Sequence, residues 1–448
     1  MSEIFDQAQA ALKLTSSYEL RGSVTDVRGL VIEGNGPFVP VGSNVRIVSG
    51  RQSMEAQVVG FRKDKILIMP YQEPQGLAPG ASITASGTES EVLVSDQMLG
   101  RVIDGLGNPI DNRHLPAIGE LAPLYCDPPS PVTRKRIKDP FDLGVKAINT
   151  FLTVGQGQRI GIMAGSGVGK STLLGMVAKH SLSDVNVIAL VGERGREVRE
   201  FIERDLGPEG LKRSVIVVAT GNESALLRIR AAFFATTIAE YFRDQGKNVV
   251  LMVDSITRLA MAQREIGLAI GEPPSTRGYT PSVFSMLPKL LERAGTTNSG
   301  GAITGLYTVL VEGDDMNEPV ADATRGILDG HIVLSRRLAS KGHFPAIEIL
   351  ESTSRVMRDV ITPERNELAA KARDLLAVYR ETEDLITIGA YKPGQNAKVD
   401  EAVAKNDALV AFLKQWAEEN FDFETSWKML EEIVNAPVES QSGPENQD

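Results

Sequence analysis

The chain has 448 residues, 42% of them apolar and 24% charged, which is enough for two or three domains with real cores and leaves little room for disorder to dominate. A net charge of −10 opposes general attraction to nucleic-acid phosphates or anionic lipid, and the single cysteine, Cys126, excludes an internal disulfide. The start, Met1-Ser2-Glu3-Ile4-Phe5-Asp6, lacks the basic flank and long apolar stretch of a signal peptide, and no run of about 18 apolar residues occurs, so a soluble cytoplasmic chain is expected.

Ile4, Phe5, Ala8, Ala11 and Leu12 fall at roughly helical spacing, which predicts a short amphipathic segment over residues 1–19. Over 20–92, β-rich runs such as Val45-Arg46-Ile47-Val48 and Lys65-Ile66-Leu67-Ile68-Met69 alternate with Gly, Pro and Asn turns, the pattern of a small β-barrel. Gly100 to Asp111 is dense in turn formers and is followed by a Pro-rich crossing from Pro123 to Pro131, so this stretch reads as a connection between domains. From Gln158 to about Arg355, buried apolar runs alternate with helical patterns, which predicts a parallel α/β sheet within a core taken as 93–362. Its strands are expected at 159–163, 185–191, 214–219, 248–253, 303–311 and 331–334. Beyond Thr362 the strands stop, and 364–380, 405–416 and 426–434 read as helices of a smaller unit, 363–448, with a polar tail. The expected fold is therefore α/β, a P-loop sheet core between a small N-terminal barrel and a C-terminal helical domain.

The strongest chemical signal is the strand Arg159 to Met163 running into Ala164-Gly165-Ser166-Gly167-Val168-Gly169-Lys170-Ser171 and then an apolar helical pattern from Leu173. Small residues let backbone N–H groups turn onto phosphate oxygens, and the following helix adds the positive end of its dipole. In this reading Lys170 reaches the β and γ phosphates of ATP and the Ser171 hydroxyl holds Mg²⁺; Ala164 departs from the glycine of the simplest consensus. Asp254 ends the apolar run from Asn248, so its carboxylate is expected at the carboxyl edge of the sheet, either orienting Mg²⁺ or capping the helix from Ser255. Glu193 follows the strand Val185 to Val191 and is either the carboxylate that positions attacking water or part of a solvated turn. Arg355 either stabilises charge on the transferring phosphoryl or is, as the sequence alone favours, an ordinary surface arginine, and Phe344 or Tyr391 could present a ring to adenine, although an isolated aromatic more often packs in a core. The four histidines, His114, His180, His331 and His343, show no ligand spacing.

Taken together, these motifs resemble the rotary-type hexameric ATPases, which include ATP synthase catalytic subunits and type III export ATPases, with a RecA-like core. The resemblance spans nearly the whole chain and its parts stand in family order: Gly100 to Asp111, the P-loop, Gly192-Glu193-Arg194, Asp254-Ser255-Ile256-Thr257-Arg258, and Pro345 to Arg355. Gln263 to Leu268, Gly278 to Phe284 and Glu312 to Pro319 draw it towards the flagellar export branch. The resemblance implies that Lys170, Ser171 and the adjacent Thr172 serve phosphate and Mg²⁺, that Glu193 activates water, and that Arg194 and Arg258 lie near the nucleotide. It further implies that Phe344 lies against adenine and that Arg355 is a finger reaching a neighbouring subunit's ATP. Glu348 departs from the aspartate or asparagine usual in the family.

The same resemblance implies a homohexamer in which a segment like Gly267 to Thr280 faces the central channel. It places the chain at the inner membrane as a peripheral protein, with a regulatory or stator protein on the N-terminal helix. Other implied partners are a central stalk, chaperones, exported proteins and the membrane export gate. A virulence-secretion ATPase stays open beside the flagellar reading. A hexameric RNA translocase would need stacking aromatics on the barrel, which offers chiefly Phe38, Phe61 and Tyr71, and no nucleic-acid partner is expected. A non-catalytic ring subunit would lack a carboxylate such as Glu193.

Overall fold

A computed structural model describes residues 19–86, 90–115, 118–298, 300–311, 313 and 315–437. The amphipathic segment expected over 1–19 and the polar tail therefore fall almost wholly outside the described residues. Six antiparallel strands, β1 (Arg21–Arg28), β2 (Val31–Gly34), β3 (Asn44–Ser49), β4 (Gln52–Arg62), β5 (Lys65–Pro70) and β6 (Ser82–Ala85), close into a barrel in the order β1-β2-β5-β4-β3-β6. Alternation drives the closure. In β3, Val45 and Ile47 point inward to meet Ile32, Ile66, Ile68 and Ile83, while Arg46 and Val48 face out.

Next, β7 (Glu91–Val94) pairs with β9 (Glu120–Pro123), while β8 (Arg101–Asp104) leaves for the central sheet. Here the reading of Gly100 to Asp111 as a connection needs correcting. Arg101–Asp104 is an edge strand parallel to β12, held by Arg101, whose guanidinium donates through Nε and Nη2 to the Asp111 carboxylate at 2.7 and 2.9 Å. The turn formers after Asp104 bring Asp111 back onto the strand, so the loop serves the sheet.

The central sheet is completed by β10 (Arg159–Ala164), β11 (Val185–Val191), β12 (Ser214–Ala219), β13 (Asn248–Asp254), the short β14 (Gly295–Thr296), β15 (Ala302–Leu310), β16 (Gly330–Leu334) and β17 (Thr353–Ser354). Its order is β17-β16-β10-β15-β13-β11-β12-β8; β17 and the off-path β14 pair antiparallel to their neighbours and the rest run parallel. Each inner strand feeds two cores, one on either face of the sheet. In β13, Val249, Leu251 and Val253 pack with the helices Ala225–Asp244 and Ile256–Ile270, while Val250 and Met252 pack with Lys170–His180. This double burial explains why the strands read as unbroken apolar runs.

The helices Pro363–Thr387, Ala397–Leu413 and Phe423–Asn435 cover the second face through Leu409, Phe412, Trp427 and Leu430. The barrel shares the first core through Leu67, Met69 and Tyr71, and the Ser224 hydroxyl donates to the Tyr71 carbonyl at 3.0 Å.

Arg293, with no exposed surface, crosses the first core. It donates through Nη1 to the Leu124 carbonyl (2.7 Å), through Nη2 to Thr237 Oγ1 (2.9 Å) and through Nε to Glu240 Oε1 (3.0 Å). Removing only the carboxylate strands a buried charge, whereas removing both leaves an apolar site. Glu240→Ala is expected to lower the urea-unfolding free energy by about 3–5 kcal/mol, and the double variant Glu240→Leu/Arg293→Met is expected to regain most of that loss.

Candidate active site

The carboxyl ends of β10, β11 and β13 bring the chemical residues together. Ala164 is the last residue of β10, its backbone paired with Leu310 and Leu334, which explains why the consensus glycine is dispensable there: the position is strand, and the turn begins at Gly165. Gly167 (φ 78°) and Gly169 (φ 89°) take left-handed conformations that a side chain would strain, and buried Val168 pins the loop to the core beneath. A Cβ on Gly169 would meet the Phe344 ring at 3.4 Å, so the loop's last glycine and Phe344 are in contact, with Phe344 45% exposed. Lys170 opens the helix Lys170–His180, and half-buried Ser171 and Thr172 lie in its first turn.

Three charges meet where the loop enters this helix. The Lys170 ammonium pairs closely with Asp254 Oδ1 and lies 3.5 Å from Glu193 Oε1. Burial lowers the lysine's proton affinity, but Asp254 and Glu193 outweigh it and leave the pKa raised. Between the strands bearing Lys170 and Asp254 runs β15, whose fully buried Thr308 donates its hydroxyl to Asp254 Oδ1 at 2.7 Å. Thr308 carries no sequence signal of its own, since Thr304 stands in the same run 303–311 and nothing local separates the two. Asp254 does not cap the following helix. That role belongs to Ser255, whose hydroxyl accepts from Arg258 N.

Glu193 lies just beyond β11, after Gly192 (φ 74°), and its carbonyl accepts from Gly221 N at 3.0 Å. Its Oε1 is buried and accepts no hydrogen bond. Burial pushes this carboxyl up to about 7; Lys170 pulls it down only in part, and the nearby Asp254 adds to the rise.

The stem of Arg258 packs on Gly192, where a Cβ would lie 2.8 Å away, and its Nε is buried without a hydrogen-bond partner. Arg194 is largely exposed and pairs with Glu197 at 3.4 Å. Arg355 lies at the other end of the sheet: Ser354 pairs with Gly330 at the start of β16, and the Arg355 guanidinium donates to the Leu328 and Arg325 carbonyls, both at 3.2 Å. Five strand residues, roughly 16 Å at about 3.3 Å each, separate it from the chain's own P-loop. Tyr391 donates to Asp400 Oδ1 at 2.8 Å and to the Asn396 carbonyl at 3.1 Å, within the C-terminal helical unit.

A left-handed glycine loop opening a helix, with lysine and two carboxylates converging at the carboxyl edge of a parallel sheet, defines a P-loop nucleotide-binding protein. Residues 144–354 match the nucleotide-binding domain of the ATP synthase alpha/beta family, and 361–432 match the C-terminal domain of the type III secretion ATPase EscN. The chain is 55% identical to the flagellum-specific ATP synthase of Bacillus subtilis (strain 168), over 91% of this chain and 94% of that one. It is 46% identical to the protein of the same description from Salmonella typhimurium, over 96% of each. Among solved structures, the assembled ATPase EscN of the enteropathogenic E. coli type III secretion system superimposes with a TM-score of 0.88 at 46% identity, covering 92% of this chain and all of that one. EscN in complex with its central stalk EscO gives 0.86 at 45% identity, again over 92% of this chain and all of that one. This chain belongs to the flagellar and type III secretion branch of the ATP synthase alpha/beta family.

The Glu193 shift has a consequence for stability. Its pKa is raised on folding, from an ordinary 4.5 to about 7, so between those values the folded chain holds more protons than the unfolded one and stability falls as pH rises. Glu193→Gln is therefore expected to raise the melting temperature of the nucleotide-free protein at pH 8, with the gain shrinking through pH 7 and 6 and vanishing near 4.5. Thermal melts across that range check it.

Proposed function

We propose that this chain hydrolyses ATP to energise export of flagellar proteins through a type III apparatus, as one subunit of a homohexameric ring. The observation that carries the reading is the convergence of Lys170, Glu193 and Asp254 on the P-loop while Arg355 stands at the opposite end of the sheet. That arrangement supplies every group for phosphoryl transfer except the cation for the transition state, and it presents that cation away from the chain's own site.

In this reading the backbone N–H groups of Gly165 to Ser171 cradle the phosphates, and Lys170 exchanges its carboxylate partners for the β and γ oxygens. The Ser171 hydroxyl and Asp254 carboxylate, with Thr172 adjacent, are hard oxygen donors that would hold Mg²⁺. The described residues contain no cluster of three or more His, Cys, Asp or Glu that could hold a metal. A Mg²⁺ ion held there would supply positive charge to offset that building on the phosphates. Glu193, with an unpaired buried oxygen and a proton affinity near neutrality, accepts the proton of the attacking water. Arg258, with its unpaired Nε, adds positive charge beside Glu193, and Arg194 stands exposed near it. Phe344 lies against adenine. Tyr391, its hydroxyl already engaged by Asp400, offers the base only a ring face. Arg355 stabilises the transferring phosphoryl of the neighbouring subunit.

The flagellar reading is supported by the 55% identity to the Bacillus subtilis protein, although other flagellum-specific relatives, at 44 to 49%, overlap the 46% of a type 3 secretion system ATPase of Xanthomonas euvesicatoria. An RNA translocase is disfavoured because Phe38 and Phe61 are the exposed barrel rings, Tyr71 being buried. A non-catalytic subunit is disfavoured by Glu193. The proposed location is cytoplasmic and peripheral to the inner membrane; no described helix is long and apolar enough to cross one. Partners follow the same reading: a central stalk in the ring's channel near Gly267 to Thr280, a stator or regulator at the N-terminus, and chaperones, exported proteins and the membrane export gate at the C-terminal helices. In that channel segment Glu272 binds Ser282 N at 2.8 Å and Arg277 pairs with Asp315 at 2.7 Å, which fixes both flanks of Pro273-Pro274.

Glu193→Gln is expected to keep nucleotide binding while losing turnover; normal turnover would remove Glu193 from the chemistry. Lys170→Ala and Arg355→Ala are each expected to lose about 10³-fold or more in rate. Mixing the two variants restores intact sites wherever an unaltered P-loop meets an unaltered Arg355, so activity should return on mixing. A mixture as inactive as its components would place Arg355 outside a shared site.

A further inference from the structure

Glu348, where the family usually has a shorter acid or amide, leads to a second site. It is buried and reaches Arg337 at 3.4 Å and, more closely, Arg380 on the helix Pro363–Thr387, which ties the nucleotide-binding core to the C-terminal helices. Beside this junction lies a cavity of about 360 Å³, a size that suits a small molecule. Ile347, Leu376, Val410 and Leu413 give it an apolar wall. Its lining carries four cations, Arg337, Lys341, Arg380 and Lys414, against two carboxylates, Glu348 and Glu383.

The pairing is incomplete. Lys341 meets Glu383 at 3.4 Å and Glu348 takes two arginines, but Lys414 has no ion-pair partner among the described residues. His343, 94% buried, lines the same cavity and leaves Nε2 without a hydrogen bond, and burial together with Lys414 holds the ring below its ordinary pKa. A neutral imidazole with an unmet nitrogen, an unpaired ammonium and an apolar wall together fit a molecule with an anionic head and an apolar body.

We propose that this cavity is a second ligand site, distinct from the P-loop, for a small amphipathic anion, and that its occupancy alters ATP binding. The coupling runs through Phe344, which follows His343 directly, touches Gly169 of the P-loop, and accepts at its carbonyl from Gln415 N, next to Lys414, at 2.9 Å. This coupling rests on the nucleotide reading of Phe344; the site itself does not.

The probe is 8-anilinonaphthalene-1-sulfonate, which carries an aromatic body and one sulfonate, titrated by fluorescence into the full chain. Saturable binding at one dye per chain is expected, persisting under saturating ADP. Lys414→Glu, an exposed position, and Val410→Phe, which fills the wall, should each weaken it about tenfold without shifting the thermal melt. Mutually exclusive binding, in which ADP abolishes dye binding rather than shifting its affinity by the finite factor that linkage requires, or equal binding by wild type and both variants, would overturn the site. With the site filled, the KM for ATP should shift at least threefold in wild type and stay constant in Lys414→Glu; an unshifted KM would overturn the coupling. Dye binding needs no turnover, so a chain without ATPase activity would sink the functional reading and leave the site standing on its own measurement.

Discussion

A buried ammonium set between two carboxylates is the interaction on which this molecule's organisation turns. Lys170, Asp254 and Glu193 come from three different strand ends, and none could be buried alone at tolerable cost. Bringing them together requires β10, β15, β13 and β11 to lie side by side in register, with Thr308 of the intervening strand steadying Asp254. The unbroken apolar strands and the helices on both faces exist, in effect, to hold that sheet edge rigid. The cluster is nevertheless imperfectly balanced. Burial raises the proton affinity of Glu193, Asp254 adds to the rise, and one lysine shared between two carboxylates offsets it only in part.

That imbalance joins structure to chemistry. In the proposed mechanism Lys170 must trade its carboxylate partners for phosphate, and a fully paired Glu193 would be a poor base. Here Lys170 is held by those carboxylates, and Glu193 keeps an oxygen unpaired. The same economy explains Arg355. Its guanidinium rests on the carbonyls of Arg325 and Leu328, poor substitutes for an anion, at the far end of the sheet from the P-loop. Under the proposed shared site, a cation held only by carbonyl oxygens would take a stronger, anionic partner from another subunit.

The barrel and the C-terminal helices are not appendages to this sheet. Tyr71 carries the barrel into the first core, while Glu348–Arg380 and Gln415–Phe344 carry the C-terminal helices to the P-loop side of the second. The P-loop therefore has packed and hydrogen-bonded connections outward in two directions.

By itself the sequence determined the local elements and the chemical cast. Apolar runs ending in Met163, Val191 and Asp254 forecast strands of the central sheet almost to the residue, because a strand buried on both faces leaves an unmistakable pattern, and the P-loop declared itself through glycine spacing. Arg101–Asp104 was hidden because a four-residue edge strand amid turn formers has no periodicity to read, and only pairing with β12 makes it a strand. Thr308 was hidden because nothing local distinguishes a buried hydroxyl from a packed one. Tertiary structure alone decided that Glu193 is strained toward neutrality and that Asp254 is held by Thr308 while Ser255 takes the cap. It alone put Arg355 some five residues of strand away from its own loop. Those outcomes depend on desolvation and on distances between segments far apart in the chain, and neither quantity exists until the sheet has closed.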